Sequence, residues 1–119
     1  LKRLGRFLKA KPRCVQVFKQ QESPQFLTCR VDSDFAGCLT TRKSTSSKQL
    51  THGNRLLRSS AITQSVQAIS PGEGEYHALV KGGSVGLVGV SMLEDLNTSK
   101  VVELQTDSSA AKKGNRFRK

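Results

Sequence analysis

Between Ser70 and Leu96 runs the one long helical pattern of the chain, and its glycines restrict what can pack against it. Ser70-Pro71-Gly72-Glu73 has the form of a helix start. Ser70 stands as N-cap, Pro71 at the first helical position, and Glu73 three residues after the cap, as in a capping box. From there to about Leu96, the residues Tyr76, Leu79, Val80, Val90, Leu93 and Leu96 fall on or near one face, which is the expected buried face. Gly82, Gly83, Gly86 and Gly89 interrupt it, each costing roughly 1 kcal/mol relative to Ala in a helix interior. Either another backbone packs close against these glycines or the helix is a poor one.

Other elements are read around this helix. Leu1, Leu4, Phe7 and Leu8 recur at helical spacing among bases until Lys11-Pro12, the pattern of a short basic amphipathic helix. Residues 19–25 are polar and read as a linker. Phe26, Leu27, Cys29 and Val31 alternate as a strand leading into Asp32, and Thr40 to Ser47 reads as a turn. Weaker strand candidates lie around 48–51, 56–60 and 65–69, with His52-Gly53-Asn54 and a polar step near Thr63 between them. Asn97 to Lys100 is expected to turn, Val101, Val102 and Leu104 to form a strand ending at Asp107, and residues 108–113 to begin another helix. The coarse order is helix, three strands in hairpin connection, helix, strand.

With 119 residues, 35% apolar and 5% aromatic with no Trp, the chain has material for one domain and a lean core. The formal charge of +11 sits at the ends. Residues 1–20 carry seven bases and residues 112–119 five, with no acid in either, whereas residues 21–111 set eight bases against all nine acids. Two basic ends suit a polyanion or an acidic assembly partner. Cys14, Cys29 and Cys38 are odd in number and lack metal-ligand spacing, which argues against a disulfide scaffold or a zinc site and for a reducing, intracellular compartment, cytoplasmic or nuclear. The most apolar run, Ala78 to Leu93, is too short for a membrane span and contains Lys81. A first residue of Leu rather than Met reads as a fragment or a processed product.

Three acids stand out by placement: Asp32 at the end of one predicted strand, Glu75 early in the long helix, and Asp107 at the end of the last strand. In a mixed sheet, ligands gather beyond the carboxyl ends of parallel strands. If the strands of Asp32 and Asp107 are parallel neighbours and Glu75 faces the same edge, the three carboxylates converge. Hard divalent ions, Mg²⁺ or Mn²⁺, are the natural guests of such a cluster. Two ions about 4 Å apart clamp the attacking water and leaving oxygen of a phosphodiester. Solvated, unrelated acids are the bland alternative. His52 and His77 read as surface residues, and the cysteines as small buried hydrophobes.

Four segments in register resemble the ribonuclease H domain of copia-type retrotransposon polyproteins. VDSDFAGCLTTRKSTS (residues 31–46) is similar to its first block, ISPGEGEYHALVKGGSVGL (69–87) to its second, and VELQTDSSAAK (102–112) to its third. LKRLGRFLKAKP (1–12) looks like the segment joining the reverse transcriptase to that domain. The resemblance implies an α/β ribonuclease H-like fold, incomplete: three antiparallel strands, a helix and a parallel strand. It divides the chain into a basic helix and linker (1–25) and a truncated ribonuclease H-like domain (26–119).

It further implies that Asp32, Glu75 and Asp107 are the catalytic carboxylates, holding two Mg²⁺ (or Mn²⁺), with Asp34 supporting. The implied activity is an endonuclease hydrolysis of the RNA strand of an RNA–DNA hybrid. Arg42, Lys43, Ser44 and Thr45 form a turn expected to contact nucleic-acid phosphates, with an ordinary solvated turn as its alternative. The sequence departs from the family in lacking the later segment that bears a fourth carboxylate, in Phe35 where Trp is usual, and in Ser47-Lys48-Gln49 where small and apolar residues are usual. Such drift fits a decayed or repurposed element. The competing expectations are a non-catalytic small subunit of a larger assembly, or a basic module that binds nucleic acid through residues 1–20 and 112–119.

Overall fold

The computed structural model describes residues 1–13 and 15–107. Cys14, the expected helix start at 108–113 and the basic end at 112–119 lie outside the described residues. Two helices and a four-stranded mixed sheet make up the described chain: α1 (Lys2–Ala10), β1 (Phe26–Ser33), β2 (Thr45–His52), β3 (Arg55–Thr63), α2 (Pro71–Asp95) and β4 (Val101–Thr106). The strand order is β3-β2-β1-β4, antiparallel between β3, β2 and β1 and parallel between β1 and β4. This is a mixed α/β architecture with one parallel pair. A parallel neighbour cannot be reached by a hairpin, and α2 supplies the crossover.

In β1 the alternation of Leu27, Cys29 and Val31 buries one face of the strand under α2. With Leu50 of β2 and Ala78 of α2 they form the core, flanked by half-buried Leu79, Val85, Val90, Leu93 and Leu104. The β2–β3 turn is a two-residue loop, Gly53-Asn54. Gly53 there adopts φ +60°, which a type II′ turn needs at its first central position. The polar stretch 19–25 is tied down rather than free. Gln21 donates its amide to His52 O (2.8 Å) and accepts from Asn54 N (2.9 Å), while Arg55 donates to Lys19 O (3.2 Å).

The start of α2 follows its sequence pattern with one adjustment. The Ser70 hydroxyl accepts from Glu73 N (3.2 Å), but the Glu73 carboxylate reaches back one residue further than a capping box, to Ile69 N (2.7 Å). The helix ends in a Schellman arrangement. Asn97 takes the left-handed conformation (φ +55°), Thr98 N donates to Leu93 O, and Asn97 N donates to Glu94 O.

Three expectations are corrected. The buried face of α2 is Gly74, Ala78, Gly82, Gly86 and Gly89, whereas Tyr76, Val80 and Leu96 are exposed. Leu79, Val90 and Leu93 of the expected stripe do pack against the core, but at the glycines the large side chains belong to the sheet. A Cβ at Gly82 would collide with Val31 Cγ1, one at Gly86 would lie 2.6 Å from Val102 Cγ1, and one at Gly89 2.7 Å from Leu27 Cδ2. The expected strand at 65–69 is a loop, because Gln64 N turns in to donate to Ser44 O (2.7 Å) and Val66 and Ile69 stay exposed. The expected turn at 40–47 ends earlier, since Thr45–Ser47 already pair in β2.

The basic helix at the N-terminus forms as expected, but its Leu4, Phe7 and Leu8 are at least half exposed and α1 packs on no other described element. No described helix is long and apolar enough to cross a membrane.

The glycine face predicts opposite effects at adjacent positions. Gly82→Ala gains helix propensity but forces a methyl into stiff, β-branched Val31, for a net loss of about 1–3 kcal/mol. Gly83→Ala meets only Leu104 Cδ1 at 3.6 Å and gains up to about 1 kcal/mol. Urea unfolding of the two variants checks this, and effects of the same sign contradict it.

Candidate functional site

The parallel register of β1 and β4 runs from Phe26 opposite Val101 to Val31 opposite Thr106. One step further, Asp32 still belongs to β1 and Asp107 is the first residue past β4, so the two acids occupy neighbouring positions at adjoining carboxyl ends. Both are exposed, and the Asp32 carboxylate accepts from Ser33 N (2.8 Å). Because Leu27, Cys29 and Val31 face α2, alternation turns Thr28, Arg30 and Asp32 to the sheet face that α2 leaves open. On that face the Arg30 guanidinium donates to Gln105 Oε1 (3.0 Å), bridging the two parallel strands just before the acids.

Glu75 reaches the same end of the sheet from the helix layer. The first turn of α2 lies over the end of β1, where a Cβ on Gly74 would be 3.4 Å from both Ser33 Oγ and Ser44 Oγ. Glu75 follows, half-buried. Asp32 and Asp107 are thus brought together in register, while Glu75 belongs to the layer on the other face. Among the described residues, no three His, Cys, Asp or Glu side chains are grouped closely enough to hold a metal ion.

Asp34 is exposed and its chemistry is local. Asp34 N donates to Thr45 O (3.1 Å) and Thr45 N donates to the Asp34 carboxylate, a reciprocal pair that closes the loop between β1 and β2. Of the turn expected to meet phosphates, Arg42 is exposed, with φ +55°, and Lys43 and Thr45 are half-buried. Ser44 is a correction: it is fully buried, its hydroxyl accepting from Ala36 N (3.1 Å), so its oxygen is a core partner rather than a surface contact.

A residue without an expected role organises this end of the fold. Gln64, just after β3, is buried and directs its Nε2 at Ser46 Oγ (2.8 Å), Gly74 O (2.8 Å) and Ser33 Oγ (3.2 Å). It joins β1, β2 and the first turn of α2 beneath the candidate carboxylates. Nothing in the local sequence distinguishes a glutamine that will be buried from one that will be solvated, because its partners lie 10 to 31 residues away.

The two described cysteines differ. Burial pushes the Cys29 thiol up, against the smaller opposing effect of nearby Lys48. The Cys38 thiol is lowered, first by the Thr41 hydroxyl and then by backbone hydrogen bonds at Thr41 and Thr40.

No protein-family model, no curated protein and no solved structure matches this chain.

Two measurements test this description. Gln64→Leu leaves buried hydroxyls and a helix carbonyl without their donor and is expected to lose about 1–3 kcal/mol in urea unfolding; an unchanged midpoint contradicts the network. Iodoacetamide at neutral pH is expected to modify Cys38 well before Cys29, because its thiolate is favoured and Cys29 is enclosed. Peptide mass mapping that shows the reverse order removes that assignment.

Proposed function

We propose that this chain is a ribonuclease H-like fragment of a retrotransposon polyprotein, with Asp32, Glu75 and Asp107 descended from its catalytic carboxylates. The ancestral reaction is hydrolysis of the RNA strand of an RNA–DNA hybrid, and the 2′-hydroxyls and A-like shape of that strand are what such a domain recognises. The observation that carries the reading is the parallel pairing of β1 with β4 across the α2 crossover. It supports the reading because two acids 75 residues apart end neighbouring strands, the position where ligands of α/β sheets collect. The blocks of residues 31–46, 69–87 and 102–112 support it independently. Metal-dependent hydrolysis is what the resemblance brings to these carboxylates.

The test is incubation of the full chain with a labelled RNA–DNA hybrid and Mg²⁺. The expected outcome is cleavage of the RNA strand, reduced by about tenfold or more in Asp107→Asn, which corresponds to roughly 1.4 kcal/mol on the barrier. Equal product from both proteins ends the enzymatic reading.

A second reading, a non-catalytic subunit of a larger assembly, draws on one specific observation. Helix α1 is basic, holds Leu4, Phe7 and Leu8 at least half exposed, and touches no other described element. A helix with one apolar face acquires most of its stability from a surface that covers that face. The readings separate in a binding titration. Selective, moderately salt-sensitive affinity for the hybrid over DNA duplex is expected of the nuclease descendant. Affinity without preference, falling steeply with salt, marks binding through the basic ends alone.

A further inference from the structure

Two helix faces of this chain are apolar and uncovered, and the helices that bear them are opposite in charge. One belongs to α1. With about 3.6 residues per turn, Leu4, Phe7, Leu8 and the N-cap Leu1 fall within about a third of the circumference, and Lys2, Arg3, Arg6 and Lys9 lie on the side opposite. All four apolar side chains are at least half exposed, and α1 packs on no other described element. A helix of nine residues is too short to persist alone in water, and Gly5, whose Cβ position has nothing within 4 Å, weakens it by about 1 kcal/mol more. Its stability has to come from a surface that covers it.

The other is the outer face of α2. Its small residues turn to the sheet, so Tyr76, Val80 and Leu87, four and seven residues apart, turn away from it. They are 66%, 49% and 56% exposed. Single exposed apolar residues are ordinary, but a row of them along one helix marks a contact surface. Glu73 stands on this face before the row, and Glu94 and Asp95 follow it at the other end, while His77 and Lys81 lie to one side. In all, α2 holds four acids and one lysine, whereas α1 holds four bases and no acid. At about 1.5 Å per residue, Tyr76 to Leu87 spans about 16 Å and α1 about 13 Å, so the two faces match in length as well as in charge.

We infer that α1 of one copy docks along the outer face of α2 in a second copy and that the second copy returns the contact. Leu4, Phe7 and Leu8 cover the row of Tyr76, Val80 and Leu87, and Arg3 and Lys9, at the margins of the apolar arc, meet the acids that bracket it. Such rim charges select the face and its register more than they add strength. Reciprocal exchange closes a two-fold dimer. Once the first helix is seated the second docking is intramolecular, so two modest contacts reinforce each other. A nucleic acid would meet the bases but leave Leu4, Phe7 and Leu8 in water. A second copy satisfies both needs, because this one chain carries both complementary faces and its α1 stands clear of its own α2. Asp32, Glu75 and Asp107 take no part in the contact, so a monomeric chain leaves the nuclease reading untouched, and an inactive one leaves the dimer untouched.

The experiment is sedimentation velocity of the full chain between about 1 and 100 μM. A mass rising from one chain to two, and no further, is expected. Leu8→Glu and Leu87→Glu, both at exposed positions, are each expected to weaken association at least about tenfold, while the ¹H–¹⁵N resonances of the sheet stay in place as a check on folding. Mixed together, the two variants keep one intact contact, the α1 of Leu87→Glu on the α2 of Leu8→Glu. A heterodimer is therefore expected at concentrations where neither variant associates by itself. A chain that stays monomeric throughout overturns the exchange. So does either variant keeping wild-type association, which marks pairing of α1 with α1 or of α2 with α2, and so does a mixture that recovers none.

Discussion

The structure depends on how closely α2 lies against the sheet. Gly82, Gly86 and Gly89 place no side chain of their own between the helix backbone and Val31, Val102 and Leu27, so the sheet's branched residues fill the space at those three points. The glycines weaken the helix as an isolated segment by about 1 kcal/mol each. Burial of Val31, Leu27 and Leu50 beneath it offsets that loss, at roughly 1.5–3 kcal/mol for each fully buried aliphatic side chain. The same contact sets β4. Because α2 rests on both β1 and β4, it carries the chain past β1 and returns it as a parallel neighbour.

The two ends of this sandwich are held by different physics. Around Leu27, Leu50 and Cys29 the contacts are apolar, whereas at the carboxyl end of β1 they are hydrogen bonds among Ser33, Ser44, Ser46, Gln64 and the carbonyl of Gly74. A buried polar network is directional, so it specifies one arrangement of its members more sharply than an apolar contact of equal area. That directional end is where the first turn of α2, the end of β1 and the candidate carboxylates meet. Lys48 sits at the border between the two regimes, on a core-facing position that the alternation of β2 assigns without regard to its charge.

Readings of the sequence succeeded where the signal was local. The strand into Asp32, the Ser70 cap, the turn at Asn97 and the strand ending at Asp107 each rest on residues a few positions apart, and all four are present. Misreadings have a common cause in burial by distant partners. Of the expected core stripe, Leu79, Val90 and Leu93 pack against the core, but Tyr76, Val80 and Leu96 do not, because small residues were the ones the sheet could accommodate at closest approach. Ser44 looked like a surface hydroxyl, and Val66 and Ile69 like strand residues, because composition does not reveal which side chain the fold will enclose. For the candidate site, the end of the sheet was legible from the strand and helix boundaries, but not that Asp32 faces away from the layer that carries Glu75.

Sequence by itself determined both helices, the strands into Asp32 and Asp107, their order and the chain positions of the acids, because capping, alternation and turn chemistry act over a few residues. Tertiary structure alone decided that glycines form the helix contact and that Lys48 and Gln64 are enclosed. Those outcomes follow from the closest approach that side chains of remote segments permit, a quantity that no short window of residues contains.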